Sequence, residues 1–279
     1  MTYATKLLTL LDMIFIILLM ASGTVGGALG TAVYYLAFFI PTALGLYCSY
    51  RFKTRREEER GLAEPLDRYL GINAEQARLL LPAVFPTVLV IMIISLLTSL
   101  LFGLFGLENA AVEDAPILEM IIVHALAPAV LEELLFRYIP MKLLLPYSPR
   151  VCVTVSSLYF ALIHCNIFQY PYALVAGVLF MTLNVAVGSV WPSVILHFVN
   201  NLLSVVMMKY FDTPALSWAF IGALLLASAI SLVFILRRRE AYRDGVKAAF
   251  ARGEPFSSTN APLALIVISV YIAFVRLFQ

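Results

Sequence analysis

The chain is poor in charge. Only 13% of its 279 residues are Asp, Glu, Lys or Arg, where a soluble domain carries roughly a quarter. A soluble fold of this length needs a polar coat that this composition does not provide. Net charge is +2, too small to point to nucleic acid. Cysteines are few and scattered: Cys48, Cys152 and Cys165 form no CxxC pair and no disulfide framework. No HExxH stands anywhere, so the most recognisable zinc-hydrolase spacing is missing. No GxSxG occurs either, which removes the serine-hydrolase elbow. Internal repeats and low-complexity tracts are absent too.

What the chain has is apolar residues, 62% of the total. They fall in runs near the ~20 residues that a bilayer span requires: about 6–30, 32–50, 78–105, 117–139, 151–166, 170–188, 190–210, 215–236 and 262–277. The expected fold class is an all-α, polytopic transmembrane helical bundle of eight to nine spans, built as a single integral membrane domain over 1–279. The first run carries an internal Asp12, lacks a clear cleavage site and exceeds a signal core in length, so it reads as a retained helix.

Loop charge orients the bundle. Arg51, Lys53, Arg55, Arg56 and Arg60 follow the second run, and Lys142 and Arg150 follow the fourth. Arg237, Arg238, Arg239, Arg243, Lys247 and Arg252 follow the eighth. The acidic connection with Glu108, Glu113 and Asp114 follows the third. Nine spans with a cytoplasmic N-terminus put every basic loop inside and the acidic loop outside. The basic stretches read as solvated topology signals, with anionic-lipid contact the weaker alternative.

Ionisable groups inside spans are costly and mark function or pairing. The fourth run, 116–140, holds Glu119, His124, Glu132, Glu133 and Arg137. Glu133 and Arg137 lie four apart and share a helix face, whereas Glu132 points about 100° away. An unpaired buried carboxylate suits general acid–base work; a cytosolic, snorkelling helix end is the bland alternative. Phe160 and His164 also share a face, as do His197 and Asn201, with Asn200 the alternative neighbour of His197. Imidazole and amide groups can donate to a developing oxyanion, and a carboxylate can deprotonate water. Together these groups suffice for amide hydrolysis. A zinc site of two His and one Glu competes but lacks the usual spacing. Cys165, Ser156 and Ser157 read as packing residues.

Glu132-Glu133-x-x-x-Arg137, Phe160-x-x-x-His164 and His197-x-x-x-Asn201, in this order, resemble the CAAX protease and bacteriocin-processing (CPBP, or Abi) family. The resemblance covers about 116–210. It implies an all-helical, metal-independent intramembrane glutamate endopeptidase, with no cofactor and with zinc left open. By that resemblance Glu132 is the general base, His164 positions the water, and His197 and Asn201 form the oxyanion site. Glu133, Arg137 and Phe160 support them, the first two by orienting Glu132. The expected substrate is a lipidated or hydrophobic peptide, cut near the cytoplasmic membrane face, with membrane lipid the other partner. The compact loops suit a prokaryotic cytoplasmic membrane. A transporter or a bacteriocin-immunity protein is the alternative from another class, and convergence of Glu132, His164 and His197 on one cavity discriminates the two.

One tension accompanies this reading. Glu132 and His197 fall near the inner ends of their runs, and His164 near the outer end of a short one. Bringing them together requires a deep water-filled cone, or a fifth helix that stops in mid-bilayer under the segment 166–171.

Overall fold

The computed structural model describes residues 2–60, 69–72, 74–107, 115–145, 148–211 and 213–251. Among them every regular element is helical. Helices α1 (Thr2–Val25) and α2 (Gly27–Arg60) pair as a hairpin. The turn between them uses Gly26 and Gly27 at φ +67° and +55°, a region open to glycine without a Cβ penalty. A short α3 (Ala74–Leu80) and a 3₁₀ turn (Leu81–Ala83) lead into α4 (Val84–Gly103).

The next rod runs unbroken over residues 117–144. It winds as α5 (Ile117–Met120), a π-type stretch (Ile121–Leu126), α6 (Ala127–Glu133), a second π-type stretch (Leu134–Tyr138) and α7 (Ile139–Leu144). Wider π winding recurs at functional sites, and here it brackets the short segment that carries Glu132 and Glu133. The rod extends past the expected end at 139. Glu132 is therefore near its middle rather than at its inner end.

Helix α8 (Pro149–Leu162) begins at Ser148, whose side chain accepts from the Val151 N–H, with proline in the first turn. Its 14 residues span about 21 Å, well short of a ~30 Å hydrocarbon core. The chain then turns over 163–169 and returns as α9 (Tyr170–Val187). Of the two arrangements that the depth of His164 allowed, the structure has the shortened fifth helix, ending at Leu162 two residues before His164. Gly188 ends α9 in the left-handed conformation, φ +73°. Helices α10 (Trp191–Tyr210), α11 (Pro214–Arg237) and α12 (Arg239–Phe250) complete the described chain.

Six of these helical stretches are long and apolar enough to cross a membrane: 6–25, 27–50, 81–103, 170–187, 191–210 and 214–237. With the 117–144 rod and short α8, they correspond to the first eight expected runs. The ninth, 262–277, lies outside the described residues, as do the acidic residues of the 108–114 connection and the Arg252 that closes the basic stretch. The exposed side chains explain the composition. Leu97, Leu100 and Leu101 on α4 and Leu226, Ile230 and Phe234 on α11 all stand open on the outside of the bundle, where lipid is their solvent.

Packing fixes the centre. Phe15, Phe38, Phe136, Ile139, Tyr159, Phe160 and Phe180 belong to one buried cluster that ties α1, α2, the 117–144 rod, α8 and α9 together. Gly177 lets α9 approach α8 closely: a Cβ there would stand 2.9 Å from the Ser157 backbone. The Ser156 hydroxyl donates to the Phe136 carbonyl, joining α8 to the rod where Pro140, four residues on, has no N–H to offer that carbonyl.

Candidate active site

Glu133 and Arg137 sit one turn apart and are both fully buried, so the snorkelling reading of this helix end is overturned. Arg137 Nε lies 3.2 Å from Glu133 Oε2, a charge contact too oblique to be a hydrogen bond. The guanidinium carbon sits 3.7 Å from the centre of the Phe160 ring and 5.7 Å from that of Phe180. Two aromatic faces thus supply the quadrupole attraction that water would otherwise replace.

The second oxygen of Glu133 goes elsewhere than expected. Oε1 accepts from His197 Nδ1 at 2.8 Å. A carboxylate held by an arginine has no proton to give, so the imidazole must be the donor. Ser193, four residues before His197 on α10, donates its hydroxyl to the Val190 carbonyl at 2.9 Å. Its hydroxyl accepts from Asn184 Nδ2 at 2.7 Å, and its backbone N–H donates to Asn184 Oδ1 at 3.0 Å. Glu133 therefore orients His197 rather than Glu132. The Asn184–Ser193 pair ties α9 to the start of α10, and the Glu133–His197 bond ties α10 to the rod. Neither Asn184 nor Ser193 belongs to the three motifs, and the signal in the sequence was weak: two small polar residues, nine apart, in apolar runs.

Glu132 is the free carboxylate. Its Oε2 stands 3.9 Å from His197 Nε2, too far for a direct hydrogen bond and close enough for one water to bridge. His164 follows the end of α8. Its Nδ1 donates to the Phe160 carbonyl at 2.7 Å, which in a neutral ring leaves Nε2 as a lone-pair acceptor. Cys165, next in the chain, has φ +46°, an uncommon conformation for a residue with a side chain. That turn swings the chain away directly after His164 and leaves the Cys165 side chain buried, in keeping with a packing role. Asn200 Nδ2 donates to Asn201 Oδ1 at 3.2 Å, which leaves the Asn201 amide hydrogens for another acceptor. Phe160 ties the centre together, with its ring 4.9 Å from the His164 ring and 5.8 Å from that of His197, both edge-to-face.

Glu132, Phe160, His164, His197, Asn200 and Asn201 all line one cavity of about 670 Å³. Three spans that are separate in sequence thus bring the expected base, both histidines and the asparagine together. His124, which had no assigned role, lies on the same wall. It precedes Glu132 by two α-helical turns with Pro128 between them, a shared face by spacing. Tyr172, also on the wall, was missed: an isolated tyrosine in an apolar run carries no motif. Asp12 and Glu119 are outside the cavity lining. No three His, Cys, Asp or Glu side chains among the described residues stand close enough together to hold a metal ion.

Residues 114–203 match the family model described as type II CAAX prenyl endopeptidase Rce1-like. The match spans 90 of the 279 residues and contains all seven motif positions. Over that segment the chain is similar to a family of peptide-bond hydrolases, and its six apolar helices suit an integral, multi-pass membrane setting. No curated protein and no solved structure matches the chain.

Proposed function

We propose, from a core segment of the CAAX prenyl endopeptidase type, that this chain is a metal-independent intramembrane glutamate endopeptidase acting on a lipidated or hydrophobic peptide. The convergence of Glu132, His164, His197 and Asn201 on one cavity wall carries the reading.

The chemistry follows from the donors and acceptors. A water between Glu132 and His164 has two acceptors, the Glu132 carboxylate and His164 Nε2. Glu132 removes one proton as the water oxygen adds to the scissile carbonyl carbon. The carbonyl π-bond opens to an oxyanion. Asn201 Nδ2–H can donate to that oxyanion without changing charge, because its own Oδ1 is already engaged by Asn200. When its ring carries two protons, His197 donates from Nε2 to the same oxyanion. Glu132 then returns its proton to the leaving nitrogen as the C–N bond breaks, releasing a carboxylate and an amine. Fixed donors in a largely apolar cavity are worth more than in solution, because they need not reorganise as the charge develops.

The bacterial setting and the peptide-maturation substrates of the resembling family are part of this proposal. The test is comparative peptidomics of membranes from cells expressing the wild type or Glu132→Gln. Loss of one or more cleavage products, with the variant accumulating normally in the membrane, is expected. Cleavage at the wild-type rate in Glu132→Gln overturns the mechanism. Activity lost to a chelator and restored by zinc overturns its metal-independent form.

A further inference from the structure

The helix directions and the cavity lining together say from which side a substrate arrives. The basic residues Lys142, Arg150, Arg237, Arg238 and Arg239 flank the ends of α7, α8 and α11. These ends mark the cytoplasmic side. From there α4, α8 and α10 run outward, while the 117–144 rod, α9 and α11 run inward.

Each wall of the cavity can now be placed along its own helix. On α4 the lining reaches from Leu89, in the inner third, to Ser99, in the last turn but one before the outer end. On the rod it reaches from Glu132, near the middle, to His124 nearer the outer end. Short α8 contributes only its outer terminus, Phe160 and then His164. On α9 the lining is confined to Gln169 through Phe180, the outer two-thirds. On α10 it begins at His197 and continues to Met208, two residues from the outer end. On α11, which enters from outside, Ile221 and Leu224 fall in the outer half. No wall reaches the inner end of its helix.

On the inner side, described segments pack over the helix ends. The Tyr69 carbonyl accepts from the Val190 N–H at 2.9 Å. The Leu70 carbonyl accepts from Trp191 Nε1 at 2.6 Å, so this segment covers the start of α10. Helix α12 packs against α8 and α9, and Phe250 joins the core.

We infer that the catalytic cavity opens to the non-cytoplasmic half of the membrane, and that the substrate is a polypeptide segment presented there, after export, rather than a tail presented from the cytosol. This rests on the endopeptidase reading for what happens inside the cavity, but the direction does not depend on it. It replaces the expectation of cleavage near the cytoplasmic face. It also removes the need for a deep cone from the inside, because Glu132, His164 and His197 meet at mid-depth and are reached from outside.

The test is cysteine labelling of the full chain in intact cells and in inside-out vesicles, with a membrane-impermeant charged maleimide. Ser99→Cys and Met208→Cys report the cavity mouth and Lys247→Cys reports α12. The unmodified chain, whose Cys152 and Cys165 are buried and Cys48 half-buried, sets the background. Severalfold labelling of the two mouth positions from outside, with Lys247→Cys reactive only in inside-out vesicles, is the expected result. Mouth positions protected in cells and labelled in inside-out vesicles overturn the direction. Mouth positions labelled from neither side overturn an open cavity, and Lys247→Cys labelled in intact cells overturns the topology. Repeating the labelling in Glu132→Gln separates the two readings. A chain that labels from outside but shows no Glu132-dependent cleavage fails as a protease while keeping the outward cavity.

Discussion

Glu133 is the residue on which two others depend. Its carboxylate neutralises Arg137 with one oxygen and fixes the His197 ring with the other. Removing one member of a buried ion pair typically costs about 3–5 kcal/mol, because the partner charge is stranded. Glu133→Gln should therefore lower the melting temperature in detergent and abolish cleavage. Glu133→Gln combined with Arg137→Met should recover much of the stability and none of the activity, since His197 remains unheld. Thermal unfolding alongside a cleavage assay separates the two effects. Phe160 permits a finer distinction. Phe160→Leu keeps most of the apolar volume but removes the ring beneath Arg137, at a cost of about 0.5–2 kcal/mol for the lost cation–π contact. His164, which is held by the Phe160 backbone rather than its side chain, should keep its position.

At the scale of elements, close approach of α8 and α9 sets where His164 sits. Gly177→Leu would drive a side chain into the Ser157 backbone, and such overpacking costs typically about 1–3 kcal/mol. The variant should lose activity disproportionately, because α8 ends at the site. Gly222→Ala on α11 is the matched control. No neighbour lies within 4 Å of its added carbon, and a helix interior gains about 1 kcal/mol from the exchange. Melting temperature should fall in the first and hold or rise in the second. The motifs made this arrangement partly legible: spacings of four placed Phe160 with His164 and His197 with Asn201. They did not indicate that α8 would stop at Leu162, since the apolar run continues through Ile163. Only the turn at Cys165 and the packing of α9 end it.

At the scale of the whole molecule, lipid takes the place of a polar coat. Leu226 is 64% exposed near the middle of α11, and a charge at bilayer mid-depth costs about 2.5–3.5 kcal/mol on insertion scales. Leu226→Arg should reduce accumulation in the membrane fraction. Leu236→Arg, beside Arg237 at the helix end, should be tolerated, because a long side chain there reaches the interface. Immunoblots of membrane and soluble fractions read both variants.

The sequence by itself determined the solvent, the class and the chemistry. Few charges and long apolar runs leave only a helical membrane bundle, because every buried backbone group must find its partner within its own helix. The three spaced motifs named the candidate groups that line the cavity, because a spacing of four means a shared face in any helix. Tertiary structure alone decided that Glu133 bonds His197, that Asn184 and Ser193 tie α9 to the helix carrying it, and that Glu132, His164, His197 and Asn201 line one cavity. These are relations between helices distant in sequence. Periodicity along one helix reports which side chains share a face, but not which neighbouring helix that face meets or at what depth.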